Sequence, residues 1–206
     1  MVLQLDRTAS ISRPLDRKQF TVTEFQTMIE TGILEEGSPY ELLNGEIFHM
    51  AAIGRKHAAS VNKINAKLHD KFGKVHIVAV QNPIELGSLS QPEPDLTILR
   101  WKDDFYESGH PTAQDIYLLI EVSDTTLETD RTLKLPLYAG AGITEVWIVN
   151  LQDNQIEVYR NPSDKTYQLT QTFTQGQTLT IELLPEITIA VSDILGSIQS
   201  SESSPS

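Results

Sequence analysis

Apolar positions along the chain switch between two periods, and the switches outline an alternation of helices and strands. Phe25, Met28 and Ile29 recur at helical spacing behind Thr21 and Thr23, either of which caps a first helix that Gly32 ends. Tyr40-Glu41-Leu42-Leu43, Asn44-Gly45 and Glu46-Ile47-Phe48-His49-Met50 read as a hairpin, because Asn-Gly tolerates the positive φ angles of a two-residue turn. The longest helical pattern runs from Arg55 to Phe72. His57, Val61, Ile64 and Leu68 share one face of it, and Gly73 ends it. Val75–Val80 is a strand, with Ile84–Leu86 as its continuation past Asn82-Pro83; Asp95–Trp101 is another. Lys102–Gln114 is polar, contains Gly109 and Pro111, and reads as a surface loop. Ile116–Val122 is apolar on both faces apart from Glu121, which suits a central strand. Leu127–Ala141 is helical in pattern, and Pro136 inside it predicts a kink or a fresh helix start. Val146–Val149 is a further buried strand, followed by short strands at Ile156–Tyr159, Tyr167–Phe173, Thr178–Leu183 and Ile187–Val191.

Length adds that 206 residues form one domain with a sizeable core by default. The expected division is a polar, flexible arm over residues 1–19, a domain over 20–196 and a Ser-rich, disordered tail over 197–206. There is no cysteine, hence no disulfide and no thiolate zinc site, which fits a reducing cytoplasm. The first twenty residues lack the apolar core of a secretory signal, and no apolar run approaches the roughly 20 residues that span a bilayer. A net charge of −12 counts against broad, non-specific nucleic-acid binding, which depends on neutralising phosphates with Lys and Arg. The chain carries no P-loop, no Gly-x-Gly-x-x-Gly fingerprint and no Gly-x-Ser-x-Gly elbow.

The chemistry concentrates between Pro94 and Lys134. Asp95 and Glu121 stand at the ends of two apolar strands, 26 residues apart, and on neighbouring strands their carboxylates converge on one cation. Burying a carboxylate costs several kcal/mol unless something pairs with it, and a hard divalent cation such as Mg²⁺ is one such partner. Taken singly, Asp95 is also a turn residue after proline and Glu121 a strand-end charge. Asp130 and Lys134 lie at i and i+4, which by spacing alone is a surface ion pair worth about 0.3–0.5 kcal/mol. The functional alternative has Lys134 reaching back toward Glu121. His57 on the apolar helix face is a structural residue in the simpler reading, and a general base or phosphate contact in the other.

The ordered set Tyr40–Ile47, His57, Pro94-Asp95-Leu96, Glu121-Val122-Ser123, Asp130–Lys134, Tyr138-Ala139 and Gly142–Val149 resembles the Uma-two family of predicted endonucleases. That family is similar to the PD-(D/E)XK nuclease superfamily, and the resemblance covers about residues 20 to 190. It implies an α/β fold with a restriction-endonuclease-like core: a mixed central sheet flanked by helices, with additional antiparallel strands. It also implies metal-dependent hydrolysis of DNA, a homodimer, and Mg²⁺ or Mn²⁺ held by Asp95 and Glu121. Glu46 matches an acid that the family places early, and His57 a histidine on the second helix. The superfamily's lysine two residues after the acid is Ser123 here, and the resemblance implies that Lys134 on the next helix replaces it. The competing class is a nuclease-fold protein without catalysis, acting as a binding or assembly module.

Overall fold

The computed structural model describes residues 17–196, apart from Glu36, Ser38, Ala51 and Lys74. The expected arm lies almost wholly, and the expected tail wholly, outside the described residues.

Six strands form the central sheet in the order β3-β4-β5-β6-β7-β8. They are β3 (Ile77–Val80), β4 (Leu96–Leu99), β5 (Ile116–Ser123), β6 (Glu145–Asn150), β7 (Gln155–Ser163) and β8 (Thr166–Phe173). Neighbours are antiparallel except β5 and β6, which run parallel and are joined by a helical crossover, so the sheet is mixed. Parallel neighbours require such a crossover, and the run of β5, apolar on both faces apart from Glu121, follows from the layers covering both of its faces.

On one face lies α2 (Arg55–Phe72), which buries Val61, Ile64, Leu68 and Phe72 against Leu96, Ile98, Ile120, Val122 and Trp147. The hairpin β9 (Thr178–Ile181) and β10 (Leu184–Ala190) and the short α5 (Val191–Leu195) complete that layer. Glu145, fully buried, ties the hairpin down. It accepts from Trp147 Nε1 at 2.6 Å, Arg160 Nη2 at 2.8 Å and the Glu182 backbone N–H at 2.6 Å. On the other face the crossover sets Leu135, Leu137 and Tyr138 against Leu119, Val146 and Ile148. Because side chains alternate along a strand, Glu121 points to this second face, opposite to Ile120 and Val122.

The crossover departs from the sequence expectation. α3 (Leu127–Thr129) passes into a π-helical turn (Asp130–Lys134) and then α4 (Leu135–Gly140), with Pro136 in the first turn of α4. Pro136 has no N–H to donate, and the chain absorbs the missing bond by a wide turn in which the Leu135 N–H reaches the Asp130 carbonyl. Arg131 in this turn grips Glu157 of β7, its Nε 3.0 Å from Oε2, so the turn is anchored to the sheet.

Three further elements form the rim. Thr21 rather than Thr23 caps α1 (Val22–Glu30), in a reciprocal capping box with Glu24. β1 (Tyr40–Leu43) and β2 (Glu46–His49) form the expected hairpin, with Asn44 and Gly45 both at positive φ. Ile84–Leu86 does not continue β3; Glu85 makes only an isolated bridge to Thr112.

Candidate active site

β4 and β5 are neighbours, with Leu96 opposite Ile120; one more residue of that register would align Asp95 with Glu121. Asp95 stands one residue before β4 and is 8% exposed. Its Oδ2 accepts the Val122 N–H at 2.8 Å, and its Oδ1 lies 2.8 Å from His57 Nε2 and 3.4 Å from Gln81 Nε2. His57 therefore leaves the run of Val61, Ile64 and Leu68 and meets a carboxylate. Hydrogen bonding to Asp95 holds its imidazole above the usual histidine range, against the effect of burial.

Glu121, 3% exposed, faces Lys134, also 3% exposed. The ammonium lies 3.2 Å from Glu121 Oε1 and 3.0 Å from Glu41 Oε1, and the Tyr138 hydroxyl donates to the same Glu121 oxygen. The π turn thus aims Lys134 into the site and not at Asp130. Asp130 is itself buried and accepts from the hydroxyls of Ser123 (2.7 Å) and Thr126 (2.8 Å), so the i,i+4 surface pair does not form. Burial pushes the Glu121 carboxyl up to about 8; Lys134 opposes the shift, while Asp130, Asp95 and Glu41 add to it. Burial alone would lower Lys134, but the charges of Glu121 and Glu41 outweigh it and hold the ammonium above the ordinary lysine range.

These groups sit on the floor of a cleft of about 640 Å³, whose lining includes Glu41, His57, Asp95, Glu121 and Lys134. Residues 22–192 match the family model Uma2, described as "Putative restriction endonuclease". The chain belongs to the Uma2 family. Among solved structures, a putative nuclease belonging to DUF820 from Anabaena variabilis superposes with a TM-score of 0.64 at 18% identity, over 85% of this chain and 97% of that one. The type IIG restriction endonuclease BpuSI matches more loosely, with a TM-score of 0.36 at 17% identity over 54% of this chain and 12% of that one. No curated protein sequence matches. The architecture is the restriction-endonuclease-like α/β fold expected from the sequence.

In this Uma2 chain the hairpin acid that reaches the site is Glu41, not Glu46. Both project from the same face of the hairpin, but Glu41 pairs with Phe48 at its open end and Glu46 with Leu43 beside the turn. Two rungs separate them, and Glu46 ends exposed, 3.3 Å from Arg17. Glu41 is fully buried; its Oε1 accepts the Glu93 N–H at 2.7 Å as well as Lys134, and its Oε2 has no hydrogen-bond partner. Sequence reasoning missed it, although a glutamate inside the apolar run Tyr40–Leu43 was a visible anomaly. It also missed Tyr138, which reads as core. Glu46→Ala is expected to leave the melting temperature and Mn²⁺ binding unchanged, because an exposed side chain outside the packing contributes little. Loss of Mn²⁺ binding in that variant would return Glu46 to the site.

Asp95 and Glu121 offer carboxylate oxygens, the ligand type that a hard divalent cation takes. Glu121 Oε2 makes no hydrogen bond among the described residues, and burial raises the Glu121 carboxyl above the usual carboxylate range. The described residues hold no group of three or more His, Cys, Asp or Glu side chains converged as a cage. Two carboxylates with water and substrate oxygens completing the shell is the usual way Mg²⁺ is held.

Proposed function

We propose that this protein is a metal-dependent endonuclease that hydrolyses DNA phosphodiester bonds. One observation carries the reading: Asp95, just before β4, and Glu121 on the neighbouring β5 line one cleft, with a buried lysine bonded to Glu121. Asp95 and Glu121 would hold Mg²⁺ or Mn²⁺. Such an ion, when bound, polarises a phosphoryl oxygen and lowers the pKa of coordinated water. Lys134 supplies a fixed positive charge toward the charge that builds on the phosphate, and needs no reorganisation to do so. His57 positions Asp95, and the Val122 N–H holds that carboxylate's second oxygen. The homodimer and the cytoplasmic location belong to the same reading and rest on the family resemblance and the lack of cysteine. No helix among the described residues is long and apolar enough to cross a membrane.

The second reading is an inactive nuclease-fold scaffold. What favours it is Ser123, which occupies the superfamily's lysine position and spends its hydroxyl on Asp130. Digestion of plasmid and single-stranded DNA in Mg²⁺, Mn²⁺ and EDTA separates the two. Calorimetry is expected to show Mn²⁺ binding to the native protein and none to Glu121→Ala; equal binding in both refutes the carboxylate site.

A further inference from the structure

Beyond its acidic floor, the cleft has a wall of a different kind. Ile29 from α1, Tyr40 from β1 and Met50 and Ile53 from the segment before α2 also line it, and Ile53 is 56% exposed. Among the described residues, six carboxyl groups line the cleft against one lysine and one histidine. Both are already paired with carboxylates, Lys134 with Glu41 and Glu121 and His57 with Asp95, so neither gives the lining a net positive charge. Glu93 and Asp124 also line the cleft, Asp124 paired with Lys56 at 3.2 Å.

That lining is unsuited to duplex DNA. A duplex carries about one negative charge per 1.7 Å of axis, and proteins hold it by covering phosphates with Lys and Arg. Its bases are stacked and paired, so an apolar wall finds nothing to contact. An unpaired nucleotide differs on both counts. It exposes a base face that stacks on an aromatic side chain such as Tyr40 with little regard to sequence, and its backbone carries half the phosphate charge of a duplex per unit length. The cleft volume falls within the range of about 300–1,000 Å³ typical of small-ligand sites.

We infer that the cleft takes an unpaired nucleotide, with its base against Ile29, Tyr40, Met50 and Ile53, so that the chain acts on single-stranded DNA or on unpaired segments and not on intact duplex. The inference rests on the nuclease reading for the identity of the ligand as DNA. The base supplies binding from the apolar side, while the phosphate lies toward the acid pair and Lys134. The acidic lining then serves as a filter against duplex, since the second strand would bring further phosphates against carboxylates without gaining a stacked base.

The test uses a fluorescein-labelled 20-nucleotide single strand and the blunt duplex of the same sequence, with native protein and Ca²⁺ in an anisotropy titration. The single strand is expected to bind at least about tenfold more tightly than the duplex, the scale of one stacked base. Ile53→Asp, a change at an exposed position, is expected to weaken single-strand binding about tenfold with the melting temperature unchanged. Duplex binding as tight as single-strand binding overturns the inference. So does binding of neither, or single-strand binding that Ile53→Asp leaves intact. Cleavage in Mn²⁺ is scored separately. Preferred cleavage of duplex overturns the inference but leaves the nuclease reading, whereas selective single-strand binding without any cleavage does the reverse.

Discussion

Lys134→Met is expected to lower the stability of the protein by about 3–5 kcal/mol, and with it the melting temperature by roughly 6–20 °C. Spacing alone makes this lysine an exposed partner of Asp130, and its replacement would then cost a few tenths of a kcal/mol. The structure instead buries its ammonium between Glu41 and Glu121. Met fills the volume but leaves two carboxylates in the interior with no countercharge. Adding Glu41→Gln removes one of those charges, so the double variant is expected to regain a good part of the lost stability. Cleavage behaves differently. At a temperature where both variants are folded, metal-dependent cleavage is expected to fall about 10²–10³-fold in Lys134→Met and to stay low in the double variant, because a preorganised charge facing the phosphate is gone from both. Thermal melts and cleavage rates on the same preparations measure the two effects. An unchanged melting temperature would refute the buried pairing, and undiminished cleavage would refute the catalytic role.

Asp95→Asn is expected to abolish Mn²⁺ binding and to reduce metal-dependent cleavage at least about 10²-fold, while the fold survives. The amide matches the local hydrogen bonds. Its oxygen accepts the Val122 N–H that Asp95 Oδ2 now accepts, and its nitrogen donates to His57 Nε2 once the imidazole, no longer favoured in its protonated form by a carboxylate, carries its one proton on Nδ1. No buried polar group is orphaned, so the melting temperature of the metal-free protein is expected to move little. The charge that attracts a cation is the one property removed. Calorimetry with Mn²⁺ beside a cleavage assay checks both parts, and retained cleavage would remove Asp95 from the site. Lys134→Met and Asp95→Asn differ because Asp95 is bonded to neutral donors and to a half-buried imidazole, whereas Lys134 balances buried charge.

Local pattern was enough for most elements. The hairpin at Asn44-Gly45, the helix Arg55–Phe72 and the apolar strand Ile116–Ser123 depend on nearest-neighbour turn chemistry and on periodicity, and these are written in consecutive residues. The burial of Asp95 and Glu121 at neighbouring strand ends was legible for the same reason: a carboxylate ending an apolar run is costly enough to stand out. What the chain's order leaves open is which buried groups meet. Glu41 and Lys134 are 93 residues apart, and only the packing of the hairpin and α4 against one sheet face brings them to 3.0 Å. Glu41 and Glu46 share a hairpin face, and only the seating of its open end over the site separates the buried acid from the exposed one. The direction of Lys134 depends on a π turn that Pro136 provokes without specifying, because a missing N–H is equally absorbed by a kink. Composition and short-range pattern determined the elements and the presence of an acidic centre. Long-range packing decided its membership, because burial energy belongs to surfaces that are distant in sequence and adjacent only after folding.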